Sequence, residues 1–373
     1  MNAQLYTQLC GCAYSDSMNA LPVPKTSWRQ RAVRRAVSPA LFDFWATRLN
    51  PLWTLEQPLA RLVSRTAASR DAVTLVLRPN RHWQGMLPGQ HVNIGVEIEG
   101  RRLVRSYSPT PLDDGTLAIT VKAMPGGVVS GHLAKAARIG DVVTLGQAFG
   151  EMTLPSDTDD LLLLAAGSGI TPMRALVRSL AARGMPVKVD LLYWARDRAY
   201  LCFVDELDEL AATHPRLRVR TLLTRAGVEP ERRVDDVSLE SIEDLQARRV
   251  LACGPGGFVE AARARLQGYV AHFDAEAFST PATVEGEAGE VQVHLARSGR
   301  TLTLARGTSL LEGLEAQGLR PRHGCRMGIC NTCACGRASG TVRHTLTGDR
   351  DSEPSTPVRL CVSAPSTDLV LDL

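Results

Sequence analysis

Four cysteines crowd the stretch Cys325-Arg-Met-Gly-Ile-Cys330-Asn-Thr-Cys333-Ala-Cys335, while the whole chain of 373 residues holds nine. Three of them follow the pattern Cys-x4-Cys-x2-Cys, and Cys361 follows far downstream. This is the spacing of a plant-type [2Fe–2S] loop. Three thiolates must converge on one small cluster from a single loop, and the fourth must reach it from the last strands. Gly324 and Gly328 let such a loop fold tightly, with its N–H groups turned toward sulfur. Zinc is the competing metal, but structural zinc prefers two separated Cys-x2–4-Cys pairs, and Cys361 has no companion. The predicted metal ligands are Cys325, Cys330, Cys333 and Cys361. Cys335 fits no ligand position and reads as a small buried side chain.

Two further groups of residues suit phosphates. Arg105-Ser-Tyr107-Ser108 ends one apolar/polar alternating run, and the pair Gly126-Gly127 opens a helical stretch containing Ser130. Arg105 can neutralise a pyrophosphate, Tyr107 can cover a ring or bond a ribityl hydroxyl, and Ser108 can bond the central ring of a flavin. Free N–H groups after Gly127, with the Ser130 hydroxyl, suit a phosphate. Separately, each has a plain reading: a surface arginine beside a tyrosine, and a glycine turn. The second group is Gly167-Ser168-Gly169-Ile170-Thr171-Pro172, at a predicted strand-to-helix junction. Pro172 stands where a dinucleotide fingerprint has its third glycine. The mechanics survive, because glycines admit a pyrophosphate closely and proline suits the first turn of a helix. Cys253, Gly254 and Pro255 come at the end of another strand, the edge where ligands of such sheets bind.

The elements that must hold these residues change character along the chain. Residues 1–58 form a basic, aromatic arm, with Trp28, Trp45, Trp53, Phe42 and Phe44 among arginines. It reads either as an arm packed on the main body or as an anchor in the headgroup region of a membrane. Residues 59–154 alternate apolar and polar positions between Gly, Pro and Asp turns, which predicts an antiparallel β-barrel. Residues 155–278 alternate apolar strands with helices, which predicts an α/β, doubly wound parallel sheet. Residues 279–289 are a linker. Residues 290–373 contain a hairpin, a short helix, the cysteine loop and a final strand, and form an α+β domain.

Bulk numbers fit this multidomain plan. The chain is too long for one ordinary core. A net charge of +4 is too mild to argue for nucleic acid, and the excess of arginine over its four lysines reads as codon bias. No apolar run is long enough to span a bilayer. The odd, uneven cysteine count argues for a reducing compartment, so the cytoplasm is expected, with peripheral contact at the inner face of the membrane if the arm is an anchor. Residues 1–17 are polar and patternless, unlike the segment that begins at Met18, which suggests Met18 as the true start. Native protein retaining Met1 by mass spectrometry would overturn that.

Taken together and in this order, the motifs of residues 59–373 resemble the ferredoxin–NADP reductase superfamily carrying a C-terminal plant-type ferredoxin domain of β-grasp type. The resemblance implies FAD held by Arg105, Tyr107, Ser108, Gly126, Gly127 and Ser130. It implies a nicotinamide dinucleotide held by Gly167, Gly169, Thr171, Pro172, Gly254 and Pro255, with Cys253 near the nicotinamide. Glu276 and Phe278 look like the family's Glu-x-Phe on the far side of the flavin, and Ser108, Cys253 and Glu276 are the expected catalytic residues. Arg196, assisted by Arg198 and Arg225, suits the 2′-phosphate of NADPH, with NADH as the alternative. The implied reaction passes electrons from NADPH through FAD and [2Fe–2S] to a separate protein acceptor.

The stretch "FDFWATRLNPLWTLEQPLARLV" resembles the arm of three-domain reductases that serve membrane diiron acyl-CoA Δ9 desaturases, so a desaturase is the expected partner. The alternatives are the reductase of a ring or alkane hydroxylase or of a hybrid-cluster protein and, from a different class, a redox-sensing binding module. A flavohaemoglobin is disfavoured, because about 58 residues before the barrel are too few for a globin.

Overall fold

A computed structural model describes residues 39–154, 159–225, 234, 242–278, 289–324, 326, 328, 330–345, 348–353 and 356–373. Most of the N-terminal arm, nearly all of the linker, and Cys325 lie outside the described residues. The arm enters the description at helix α1 (Pro39–Leu49), which packs beside the first sheet. There the Asn80 amide donates to the Leu52 and Gln57 carbonyls, and Arg61 donates to Asn50 Oδ1.

The first sheet comprises β1 (Leu59–Ser69), β2 (Ala72–Pro79), β3 (His91–Ile98), β4 (Arg101–Tyr107), β5 (Thr110–Pro111), β6 (Leu117–Lys122) and β7 (Val142–Phe149). Their order is β4-β3-β7-β1-β2-β6-β5, with antiparallel pairing throughout. The sheet curls until β4 meets β6, which makes it barrel-like. Alternate residues such as Leu62, Leu75, Ile94 and Ile119 point into one core, the reason the sequence alternates. The predicted helix after Gly127 is only a four-residue turn, α2 (Val128–Gly131), which loosens into a π-helical turn over His132–Ala136.

The second sheet is parallel, in the order β10-β9-β8-β11-β12. Its strands are β8 (Leu161–Ala166), β9 (Val189–Ala195), β10 (Leu217–Leu223), β11 (Arg249–Gly254) and β12 (His272–Ala277). Helices α3 (Ile170–Ala181), α4 (Val204–Thr213) and α5 (Gly256–Leu266) connect them. Every residue of β8 and β9 is buried, as both faces of a parallel sheet require. The strand order runs outward in both directions from β8 and β11, so a switch point lies between those two strands.

The C-terminal unit carries a four-stranded sheet built on the hairpin β13 (Glu290–Leu295) and β14 (Arg300–Ala305). Helix α6 (Leu310–Ala316) packs on it, its N-terminus capped by the Ser309 hydroxyl accepting from the Glu312 N–H. The chain's last strand runs beside β13 in parallel, which draws Cys361 and its flanking strands against the cysteine loop. The fold class is therefore the expected one: a barrel-like antiparallel domain, a doubly wound parallel α/β domain and an α+β domain.

Candidate functional site

The open end of the barrel faces the carboxyl edge of the parallel sheet, and most of the predicted site residues meet there. Ser108 follows β4 and is buried. Its Oγ lies 2.8 Å from His91 Nδ1 at the start of β3, and His91 Nε2 is hydrogen-bonded to the Glu276 carboxylate on β12. A neutral imidazole has one N–H, so with Nε2 donating to the carboxylate, Nδ1 accepts from the Ser108 hydroxyl. His91 is only 1% exposed, so this chain from barrel to nucleotide domain is shielded from water. Phe149 and Phe278 flank the imidazole at ring-centroid distances of 5.8 and 6.2 Å.

His91 was not predicted. A lone histidine in "GQHVNIG" carries no spacing signal, and its carboxylate partner is 185 residues away in sequence. Cys253 stands opposite Glu276 in the β11–β12 register. Burial first, and the Glu276 charge second, push its thiol well above the ordinary range, so it is neutral at pH 7.

The glycine junction after β8 is built for close approach. A Cβ on Gly169 would lie 1.9 Å from the Cys253 carbonyl oxygen, so no larger residue fits. Thr171 Oγ1 donates to the Ser168 carbonyl, and Pro172 sits in the first turn of α3. Pro255 caps α5, and Gly254 packs against Ala166 and Phe258. Thr171 and Pro255, with Gly167 and Gly257, border a cavity of about 580 Å³ that also takes in Trp194, Arg196, Tyr200 and Thr224. Its size, glycine floor and cations fit a dinucleotide. Arg196 lies 4.1 Å over the Tyr200 ring, while Arg225 is exposed and joined to Arg196 through the backbone. Arg198 opens the short turn that ends at Tyr200.

On the barrel side, Arg105 donates to the Val104 carbonyl. Burial, and then the neighbouring Arg326 from the cysteine loop, lower its pKa. A half-buried guanidinium beside a second cation fits a pyrophosphate. Burial raises the Tyr107 phenol, which stays neutral. Gly126 turns with φ +69°, and Gly127 leads into α2. Ser130 Oγ is partly spent locally, accepting from the Met124 N–H and donating to the Gly127 carbonyl.

In the cysteine loop, Cys333 Sγ lies 3.3 Å from Cys361 Sγ, and the Gly328 N–H donates to the Cys361 sulfur. Cys330 Sγ lies against Gly324. Among the described residues no three His, Cys, Asp or Glu side chains gather around one ion, and Cys325 is not described. The described donors are the sulfurs of Cys330, Cys333 and Cys361, the last receiving the Gly328 N–H, a soft set that fits a two-iron sulfide cluster better than a single hard cation. Cys335 Sγ turns instead toward the Gly336 carbonyl, and burial raises its pKa.

Three family models match in chain order: an oxidoreductase FAD-binding domain over residues 59–153, an oxidoreductase NAD-binding domain over 163–264, and a 2Fe-2S iron-sulfur cluster binding domain over 293–366. An NADPH oxidoreductase of Mycobacterium tuberculosis is 35% identical over 92% of this chain and 92% of its own length. The ferredoxin reductase component of 3-ketosteroid-9-alpha-monooxygenase from the same species is 32% identical over 85% of this chain and 94% of its own. Phthalate dioxygenase reductase, a solved structure, aligns at 26% identity with a TM-score of 0.56, covering 84% of this chain and 97% of that one. The protein therefore uses FAD, NAD(P)H and a [2Fe–2S] cluster, and the chain belongs to the ferredoxin-reductase-type NAD(P)H oxidoreductases with a C-terminal [2Fe–2S] domain.

Proposed function

We propose that this oxidoreductase draws electrons from NADPH and delivers them singly to a membrane-bound diiron acyl-CoA desaturase. The chemistry supplied by the bound groups is hydride acceptance at FAD and one-electron release through the [2Fe–2S] cluster. The chain's own residues supply geometry and proton control. Arg105 neutralises flavin phosphate charge, and Tyr107 covers the flavin. Ser108 offers its oxygen to the reacting edge of the ring, while His91 and Glu276 fix its orientation and provide a place for a proton behind it. Cys253 gives a small neutral wall for the nicotinamide, and Phe278 keeps water from His91. Gly169 opens the approach for the dinucleotide pyrophosphate, and Arg196 with Arg225 favours NADPH. Cys325, Cys330, Cys333 and Cys361 hold the cluster.

The observation that carries the reductase reading is the Ser108–His91–Glu276 chain, which ties the flavin side to the nucleotide side through buried polar groups. The membrane acceptor rests on α1 and the turn after it. Trp45 is 59% exposed and Leu49 81%, with Phe44 and Trp53 beside them, and Arg48 lies over Phe44 and Trp45. Aromatic and cationic groups of this kind suit a headgroup layer. Among the described residues no helix is long and apolar enough to cross a membrane, so the contact would be peripheral.

A second reading, the reductase of a steroid- or ring-hydroxylating oxygenase, is favoured by the resemblance to the 3-ketosteroid and phthalate systems. One reconstitution separates the two. Protein and NADPH are added to membranes containing a Δ9 desaturase, with and without residues 18–58. Stimulated desaturation that needs the arm supports the desaturase, whereas stimulation only of a ring-hydroxylating oxygenase overturns it. Failure to reduce cytochrome c with NADPH or NADH would favour a redox sensor over either.

A further inference from the structure

Asp71 belongs to the β1–β2 hairpin of the flavin barrel, yet it lines the nucleotide cavity. Its Oδ2 faces two cations: Arg196 Nη2 at 3.4 Å, from the end of β9, and Lys122 Nζ at 3.5 Å, from the end of β6. Among the described lining residues these three are the charged ones. The hairpin is held against the nucleotide domain, because the Arg70 N–H donates to the Ala199 carbonyl and the Arg70 guanidinium approaches the Tyr200 ring. Ser69 Oγ sits 3.3 Å from Asp71 Oδ1. The carboxylate is thus fixed by its own turn, and Arg196 is pinned between it and Tyr200.

We propose that Asp71 is a specificity-determining residue for the dinucleotide: it restrains Arg196 and Lys122, repels a 2′-phosphate, and keeps NADH usable. The inference rests on the reading that the adenosine end lies at the carboxyl edge near Arg196. NADPH differs from NADH there by a phosphate in place of a hydroxyl. That phosphate must take Arg196 away from Asp71 and then lie close to a carboxylate of like charge. The ribose hydroxyl of NADH instead has an acceptor in the Asp71 oxygen. Two cations against one carboxylate leave the cleft positive, so NADPH is still accommodated, but at reduced advantage. A determinant on the flavin domain also makes nucleotide choice depend on how the two domains close.

The test uses the full-length protein loaded with FAD and cluster, carrying Asp71→Asn, Asp71→Glu or Arg196→Ala. Calorimetry gives Kd for NADP+ and NAD+, and steady-state kinetics give KM and kcat with each reduced form. Asp71→Asn is expected to tighten NADP+ binding and raise the NADPH-to-NADH ratio of kcat/KM about fivefold, the upper range for a partly exposed charge pair. The change should appear mainly in KM for NADPH and shrink in high salt. Asp71→Glu should restore the wild-type ratio, which a merely structural role would not require. An unchanged or lower ratio in Asp71→Asn, with Arg196→Ala still shifting it, overturns the role of Asp71. No shift in either variant means that the adenosine end does not lie at Arg196, and the underlying reading fails.

Discussion

Cys253 is the penultimate residue of β11, its thiol wholly buried beside the Glu276 carboxylate, and both features resist ionisation. Its folded pKa is raised, so below the unfolded value of about 8.5 both states keep the proton and stability is independent of this group. Above it the unfolded chain loses the proton while the folded one retains it, so stability falls as pH rises. Cys253→Ala removes that term. Its melting temperature, followed by release of flavin fluorescence, is expected to fall less between about pH 7 and about pH 10 than that of the unsubstituted protein. Equal falls would mean the thiol is not shielded as its burial implies. Cys335 and Cys361 make a second comparison. Cys335 turns to a backbone carbonyl, whereas Cys361 receives the Gly328 N–H and touches Cys333. Cys335→Ser should keep the visible absorption of the cluster and Cys361→Ser should lose it; bleaching in Cys335→Ser would make that residue a ligand.

At the scale of elements, the proposed nucleotide site depends on the strand-to-helix junction after β8. Gly169 leaves the Cys253 carbonyl just enough room, and a methyl group there would meet the oxygen at 1.9 Å. Gly169→Ala must push α3 away from β11, displacing the floor proposed to receive a pyrophosphate. Displacements of about an ångström can cost about a hundredfold in rate. Flavin reduction by NADPH in a single turnover should slow by about that factor, while FAD content and cluster absorbance stay normal. A rate equal to that of the unsubstituted protein would remove this junction from the nucleotide site. The same junction was legible in the sequence, because a buried apolar run followed by glycines and a proline is a local pattern. The cysteine loop was legible for the same reason. The chain Ser108–His91–Glu276 was not, since its members come from two strands and from the residue after a third, and its histidine has no periodic neighbour. Strand β12, "HFDAEA", also escaped, because an edge strand of a parallel sheet has only part of its surface to bury and shows no apolar run.

Over the whole molecule, one electron path has to bridge the barrel, the parallel sheet and the cluster domain. The cluster domain comes close to the flavin side: Arg326, held by Glu315 on α6 at 2.9 Å, is near enough to Arg105 to oppose its charge. Residues 290–373 contain ten arginines and eight acids, whereas an acidic ferredoxin docks by charge attraction. A tethered domain has less need of such attraction, because a short flexible tether gives an effective concentration of about millimolar. Internal transfer from flavin to cluster should then be nearly insensitive to ionic strength. Delivery to a separate acceptor depends on diffusional encounter, and should respond to salt if charged surfaces steer it. Raising KCl from about 0.05 M to about 0.5 M shortens the Debye length severalfold, enough to screen such steering. Stopped-flow absorbance can track cluster reduction after mixing with NADPH, and turnover with cytochrome c can track external delivery. The internal rate should change by less than about twofold over a salt range that weakens charge steering, while the external rate moves further. Strong salt inhibition of the internal step would show that charge pairing between the domains, rather than the tether, brings the cluster to the flavin.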